Sequence, residues 1–386
     1  MRALLVGAAA DSSIRDVEYG WHQALLRAGH DVRPYNLNNR IKLYSKWMRI
    51  SMEGIDCPSC DTTLLEPDGI FADQVTIYQA ASECVIHEAL RWPKRAEGGT
   101  DWPAPWAQMV IIISGCSFHS NAAAFLNQIR VPVVLVHTEA PYNDDDIADL
   151  ARVCAIVGTN ERRSVPHFAS LAGEAALYLP TAYDRERHTP GPPEAGKQCD
   201  VFFVGTGFDE RAKLFAETDW SGIDFRLAGF WPTGEDGEVI PTAQEARLGQ
   251  VKIGHDERLE PFVARGLIDN AETVRWYRSA RIVLAAHRDD GRGESIGPRV
   301  YEAAACGAFQ LADDSRPELT DLFGESIPTF RAGDPEHLAW TVRYWLARPE
   351  QRQRLAEYAR RLVAQHSYDD RLSALTALIA RLRRAA

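Results

Sequence analysis

The sequence predicts a two-domain α/β protein with a parallel sheet in each domain. Three observations predict it. Continuous apolar runs of strand length alternate with amphipathic stretches of helix length, the mark of strands buried on both faces. The alternation stops in a polar segment rich in Pro and Gly, DRERHTPGPPEAGKQC at 184–199, and then restarts. At 386 residues the chain is also longer than one ordinary core fills.

In order along the chain, RALLVGA (2–8) reads as a strand and VEYGWHQALLRAGHDV as an amphipathic helix stopping at Gly29. MVIIISG (109–115), VPVVLVHTEA (131–140) and AIVGTN (155–160) read as strands. Each is followed by a helical pattern: HSNAAAFLNQI, NDDDIADLARVC and ERRSVPHFASL. After the break come strand CDVFFVG (199–205), helix ERAKLFAE, strand DFRLAGF, helix AETVRWYRSA and strand RIVLAAH (281–287). The segment 231–265 fits no element. The expected domains are 1–183 and 200–368, joined by a linker at 184–199, with a final helix at 369–386 packing back on the first domain. Functional loops of such folds lie at the carboxyl ends of the strands, and ligands favour the cleft between two domains.

The net charge of −11 argues against a protein that holds nucleic acid through its whole surface. No apolar run has the length of a membrane span. The opening MRALLVGAAADSS leads straight into a helical pattern, so it reads as a buried strand, and a cytoplasmic protein is expected. Seven scattered cysteines do not suggest a disulfide framework. Cys57, Cys60, Cys84 and His87 have a spacing that could hold zinc. Cys84 and His87, however, fall inside a helical pattern where a cysteine is commonly a small buried residue, so no metal is expected.

The stretch GRGESIGPRVYEAAACGAFQL (291–311) carries the most chemistry. Pro298 suits the first position of a short helix and Gly307 its end. The first amides of that helix form a phosphate site, and Arg299 adds a forked donor. Glu294 and Glu302 flank it, one suited to ribose hydroxyls and the other to a sugar. His287, Arg288 and Gly297 belong to the same strand-to-helix connection. Gly205 and Gly207 lie in a second such connection, with Arg211 one turn into its helix, and would let a ligand approach the backbone. Only G-x-G is present there, which does not support NAD. In the first domain His119, His137 and Glu139 lie at strand ends, where a base is well placed. The acidic run 144–146 reads as charge at a helix N-terminus. Tyr19, Trp21, Tyr35, Tyr44 and Trp47 could stack on an acceptor or fill the core.

The chain resembles group-1 glycosyltransferases of the GT-B fold, in the spore-maturation-protein-like branch. The resemblance rests on ALLRAGHDV, HTEAPY, ALYLPTAYD, CDVFFVGTGFDERAKLF, ARIVLAAHRD, ESIGPRVYEAAACGAFQL and HSYDDRLSAL. It implies two Rossmann-like domains facing across a cleft, the first for an acceptor and the second for a UDP- or GDP-sugar. It carries Glu294 to the sugar and Glu302 to the ribose, with Arg299 beside the phosphates. It implies hexosyl transfer to a hydroxyl without a metal or other cofactor, with retention of configuration. Inversion would instead need a base from Glu139, His137 or His119. The acceptor is left open among a glycan, a small metabolite, a protein and a modified nucleobase. The alternatives are a non-catalytic nucleotide-sugar-binding protein and a sugar-nucleotide epimerase.

Overall fold

The structure is a computed structural model that describes residues 1–7, 15–44, 74–91, 105–231, 256–266, 268–288, 291 and 293–385. The chain divides into two compact units, Met1–Leu179 with Ala374–Ala386, and Pro180–Ser373.

The first unit holds a six-stranded parallel sheet in the order β2-β1-β3-β4-β5-β6. Its strands are β1 (Arg2–Gly7), β2 (Asp31–Asn36), β3 (Met109–Ile113), β4 (Val133–His137), β5 (Ile156–Thr159) and β6 (Ala176–Tyr178). Its helices are α1 (Arg15–Arg27), α2 (Gln74–Leu90), α3 (Ser120–Gln128), α4 (Ala148–Val153) and α5 (Val165–Ala172). MVIII and VVLVH are buried at every position, as strands covered on both faces must be. Trp21 and Tyr35 are buried too, and Trp47 lies outside the described residues.

The second unit holds another six-stranded parallel sheet, in the order β12-β11-β10-β7-β8-β9. These are β7 (Cys199–Val204), β8 (Phe225–Ala228), β9 (Val263–Arg265), β10 (Ala280–Ala285), β11 (Gln310–Asp313) and β12 (Thr329–Phe330). Between and after them run α6 (Asp209–Glu217), α7 (Asn270–Ser279), α8 (Pro298–Ala305), α9 (Pro317–Phe323), α10 (Pro335–Leu346), α11 (Pro349–Val363) and α12 (Tyr368–Ala385). Chain order reverses between β7 and β10, so their carboxyl ends open a crevice suited to a ligand. Helix starts are written locally: Asp269 accepts from the Glu272 amide at 2.7 Å, and Asp334 from the His337 amide at 2.8 Å.

Several boundaries differ from the sequence reading. Residues 184–199 are part of the second unit, and Asp184, His188 and Lys197 are buried in it. Polar composition there reflects buried hydrogen bonding more than a free linker. The acidic run 144–146 precedes α4 without capping it, because Asp144 is drawn to His137 and Ser164. Of the unassigned 231–265, the described part supplies β9, which closes the edge of the second sheet.

Candidate functional site

At the crevice, β10 runs out into His287 and Arg288. The His287 amide and its Nδ1, 3.0 Å away, both engage Asp313 Oδ2 at the end of β11. Ser315 donates to the other oxygen through its amide at 3.1 Å and through its hydroxyl. Burial alone would raise the Asp313 carboxyl. The His287 imidazole, with these donors, outweighs it and holds the group well below the usual carboxylate range. Because Nδ1 is tied to Asp313, Nε2 is the ring nitrogen left for another partner. Arg316, buried at the start of α9, donates to the Arg288 carbonyl and fixes the same loop.

On the β7 side, Arg211 Nη1 donates to the Thr206 carbonyl at 3.1 Å. Its guanidinium lies 4.9 Å from the Phe208 ring centroid, and that of Arg288 lies 5.9 Å from the same ring. The two arginines singled out in the sequence are thus brought together on Phe208. At both Gly205 and Gly207 a Cβ would press on an aromatic side chain. A Cβ at Gly207 would come within 2.6 Å of the Trp231 indole, so its space is already filled. Gly229, at φ +109°, lets its backbone pass Gly205, since a Cβ there would sit 2.3 Å from the Gly205 carbonyl oxygen. Gly207 and Gly229 thus let the two loops pack against each other, while a Cβ at Gly205 would press on the Phe203 ring at 3.1 Å.

Helix α8 opens at Gly297 without a side-chain cap, and a Cβ at Gly297 would meet nothing within 4 Å. Arg299 is exposed at this open end and Glu294 is half-buried before it. Glu318 holds the connection from below. It accepts from the Ile296 amide at 2.7 Å and the Tyr301 hydroxyl at 3.0 Å. Glu302 is turned into the interior, only 3% exposed. Asn270 Nδ2 donates to it at 3.2 Å and the Tyr277 hydroxyl at 3.5 Å. His188 Nε2 donates in turn to Asn270 Oδ1 at 2.6 Å. Burial pushes Glu302 up to about 6, against the pull of Arg299, Asn270 and Tyr277. Burial also brings His188 down to about 4, which keeps the ring neutral for this donation.

In the first unit His137 is fully buried, with Nδ1 3.2 Å from the Ser114 carbonyl and Nε2 3.0 Å from Asp144. Burial would raise Asp144, but His137 and Ser164 lower it overall. His119 caps α3, its Nδ1 accepting from the Asn121 amide at 3.3 Å. Glu139 is partly exposed, and burial raises its pKa against His137 and Thr138. Cys84 lies 3.2 Å from the Tyr44 hydroxyl on α2, the helix that also carries His87, while Cys57 and Cys60 lie outside the described residues. Among the described residues no group of His, Cys, Asp and Glu could hold a metal, and no helix is long and apolar enough to cross a membrane.

Residues 211–377 match the family model described as glycosyl transferase-like. That match lies almost wholly within the second unit. It is 22% identical over 193 residues to the spore protein CgeB of Bacillus subtilis (strain 168), a match taking in 47% of this chain and 56% of that protein's length. Sucrose-phosphate synthase from Thermosynechococcus elongatus has a similar structure, at TM-score 0.61 and 12% identity over 100% of both chains. So has Anabaena Alr3699/HepE in complex with UDP and glucose, at TM-score 0.57 and 12% identity over 99% of both chains. Two parallel sheets in this order, with these likenesses, make the fold GT-B.

The sequence missed Asp313, Glu318, Asn270 and His188. Asp313 ends a strand, and that position could have singled it out. The other three take partners distant in sequence and leave no local pattern.

Proposed function

We propose that this protein moves a sugar from a nucleoside-diphosphate sugar to a hydroxyl acceptor. The observation that carries the reading is the convergence of Arg211 and Arg288 on Phe208 at the β7/β10 crevice. The open end of α8 and Arg299 follow on the same strand-to-helix connection. Three guanidinium groups and a helix N-terminus offer the countercharge a leaving diphosphate needs, which favours metal-independent transfer. The UDP and glucose held by the Anabaena protein of like fold favour a UDP-sugar as donor.

In this reading Glu294 faces the sugar and His287 Nε2 a donor hydroxyl or phosphate oxygen. A ribose contact by Glu302 requires its carboxylate to turn from Asn270 and Tyr277. Until it does, Glu302 positions α8 from inside. Retention is favoured in the first unit. Both nitrogens of His137 are engaged and His119 is a helix cap, so neither histidine is poised as a base, and Glu139 alone remains.

Donor consumption with UDP- and GDP-sugars, followed with and without candidate hydroxyl acceptors, tests the activity. Acceptor-dependent release of the nucleotide, with the donor's anomeric configuration kept in the product, is the expected result. Tight donor binding with no turnover across acceptors would favour a non-catalytic binder instead.

A further inference from the structure

The amino edge of the second sheet, opposite the crevice, carries a cavity of about 460 Å³. Ala280 and Arg281 at the start of β10 line it, as does Phe309 just before β11. Its charge is one-sided. Arg278, Arg281, Arg352 and Arg360 line it against Glu357 alone among acids, in a chain of net charge −11.

The partners of these arginines are mostly neutral. Arg352 is only 9% exposed, and its Nη1 donates to the carbonyls of Trp345 and Leu346 at the end of α10. Arg278 donates to the carbonyl and hydroxyl of Thr189 at 2.7 and 2.8 Å. Arg281 pairs with Asp200 at 2.7 Å. Arg360 is exposed and makes no hydrogen bond or ion pair among the described residues. Counting Asp200 and Glu357 leaves a surplus of two positive charges, the charge of a phosphate monoester dianion. Helix α11 starts at the same cavity with Pro349 and has no side-chain cap. A helix N-terminus adds to the preference for an anion. Burial and the neighbouring Arg281 lower the pKa of Arg352, and Asp200 only partly offsets them.

We propose that this cavity binds a small phosphate-bearing anion, gripped by the buried Arg352 with Arg281 and Arg360. Forked guanidinium donors match phosphate oxygens two at a time, and the volume leaves room for an ester group beyond the phosphate. Tyr277 lines the cavity and sends its hydroxyl to Glu302, so an occupant adjoins the interior of the proposed donor side.

Calorimetric titration of the full chain with ribose 5-phosphate and with inorganic phosphate, at matched ionic strength, tests this. Saturable binding is expected, weakened about tenfold or more by Arg360→Ala and by Arg281→Ala, and unchanged by Arg299→Ala. Both substituted arginines are exposed, so folding is retained, as circular dichroism would check. Tighter binding of the ester than of phosphate would identify an organic phosphate, and equal binding the phosphate group itself. No saturable binding of either probe, or binding that survives both variants, would overturn the proposal. So would binding lost with Arg299→Ala, which would move the ligand to the crevice.

Discussion

Two buried carboxylates of the second unit, Asp313 and Glu302, are held in opposite ways. Asp313 is stabilised as the anion by His287 and Ser315, so its contribution to stability is present above about pH 4 and is lost as the pH falls toward its depressed value. Asp313→Asn should cost roughly 2–4 kcal/mol near neutrality, with the gap narrowing below about pH 4, by denaturant titration. Glu302 is raised to about 6, so its contribution is greatest in acid and falls as the pH climbs through that value, by on the order of 2 kcal/mol. Glu302→Gln keeps an acceptor for Asn270 and cannot ionise. It should therefore gain on the parent protein in thermal unfolding between pH 5 and 7.5. Parallel profiles would mean that the carboxylate is better solvated than its burial suggests. The candidate residues 294–302 were legible because Pro298 and Gly307 bracket a helix in a few residues. Asp144 was misread for the converse reason: an acid before a helix resembles a cap, and only folding brings His137 and Ser164 to it.

At the scale of elements, the crevice depends on two loops that interlock. The Gly207 amide donates to the Phe230 carbonyl at 2.8 Å, and Gly229 crosses Gly205 where no side chain fits. Gly229→Ala should cost about 1–3 kcal/mol and weaken nucleotide binding together, because the atom it strikes is backbone. Unfolding midpoints and a binding titration on the same sample would check both. Strands β3, β4, β7 and β10 were plain in the sequence, since apolar runs this continuous suit only a covered sheet. β9 and β12, of three and two residues, carry no such run and emerge only from their pairing.

The whole molecule is two units, with the chain's last stretch, Ala374–Ala386, grouped with the first. Leu375 and Leu378 are buried, and Arg381 donates to the Glu174 carbonyl at 3.4 Å. Ending the chain after Ser373 should destabilise the first unit by about 2–5 kcal/mol and lower its unfolding transition while sparing the second. Domain number and fold class were readable from the repeat of the strand–helix pattern. The place where the units divide was not, because 184–199 has a linker's composition and a buried segment's contacts. The most direct test of the donor site is a thermal-shift comparison of the parent protein and Arg299→Ala with UDP, GDP, dTDP and ADP. A ligand that binds only the folded state raises the melting temperature. The account predicts a rise with one diphosphate, UDP before the others, that is lost or sharply reduced in Arg299→Ala. An equal rise in both proteins, or none in a well-folded parent, would contradict it.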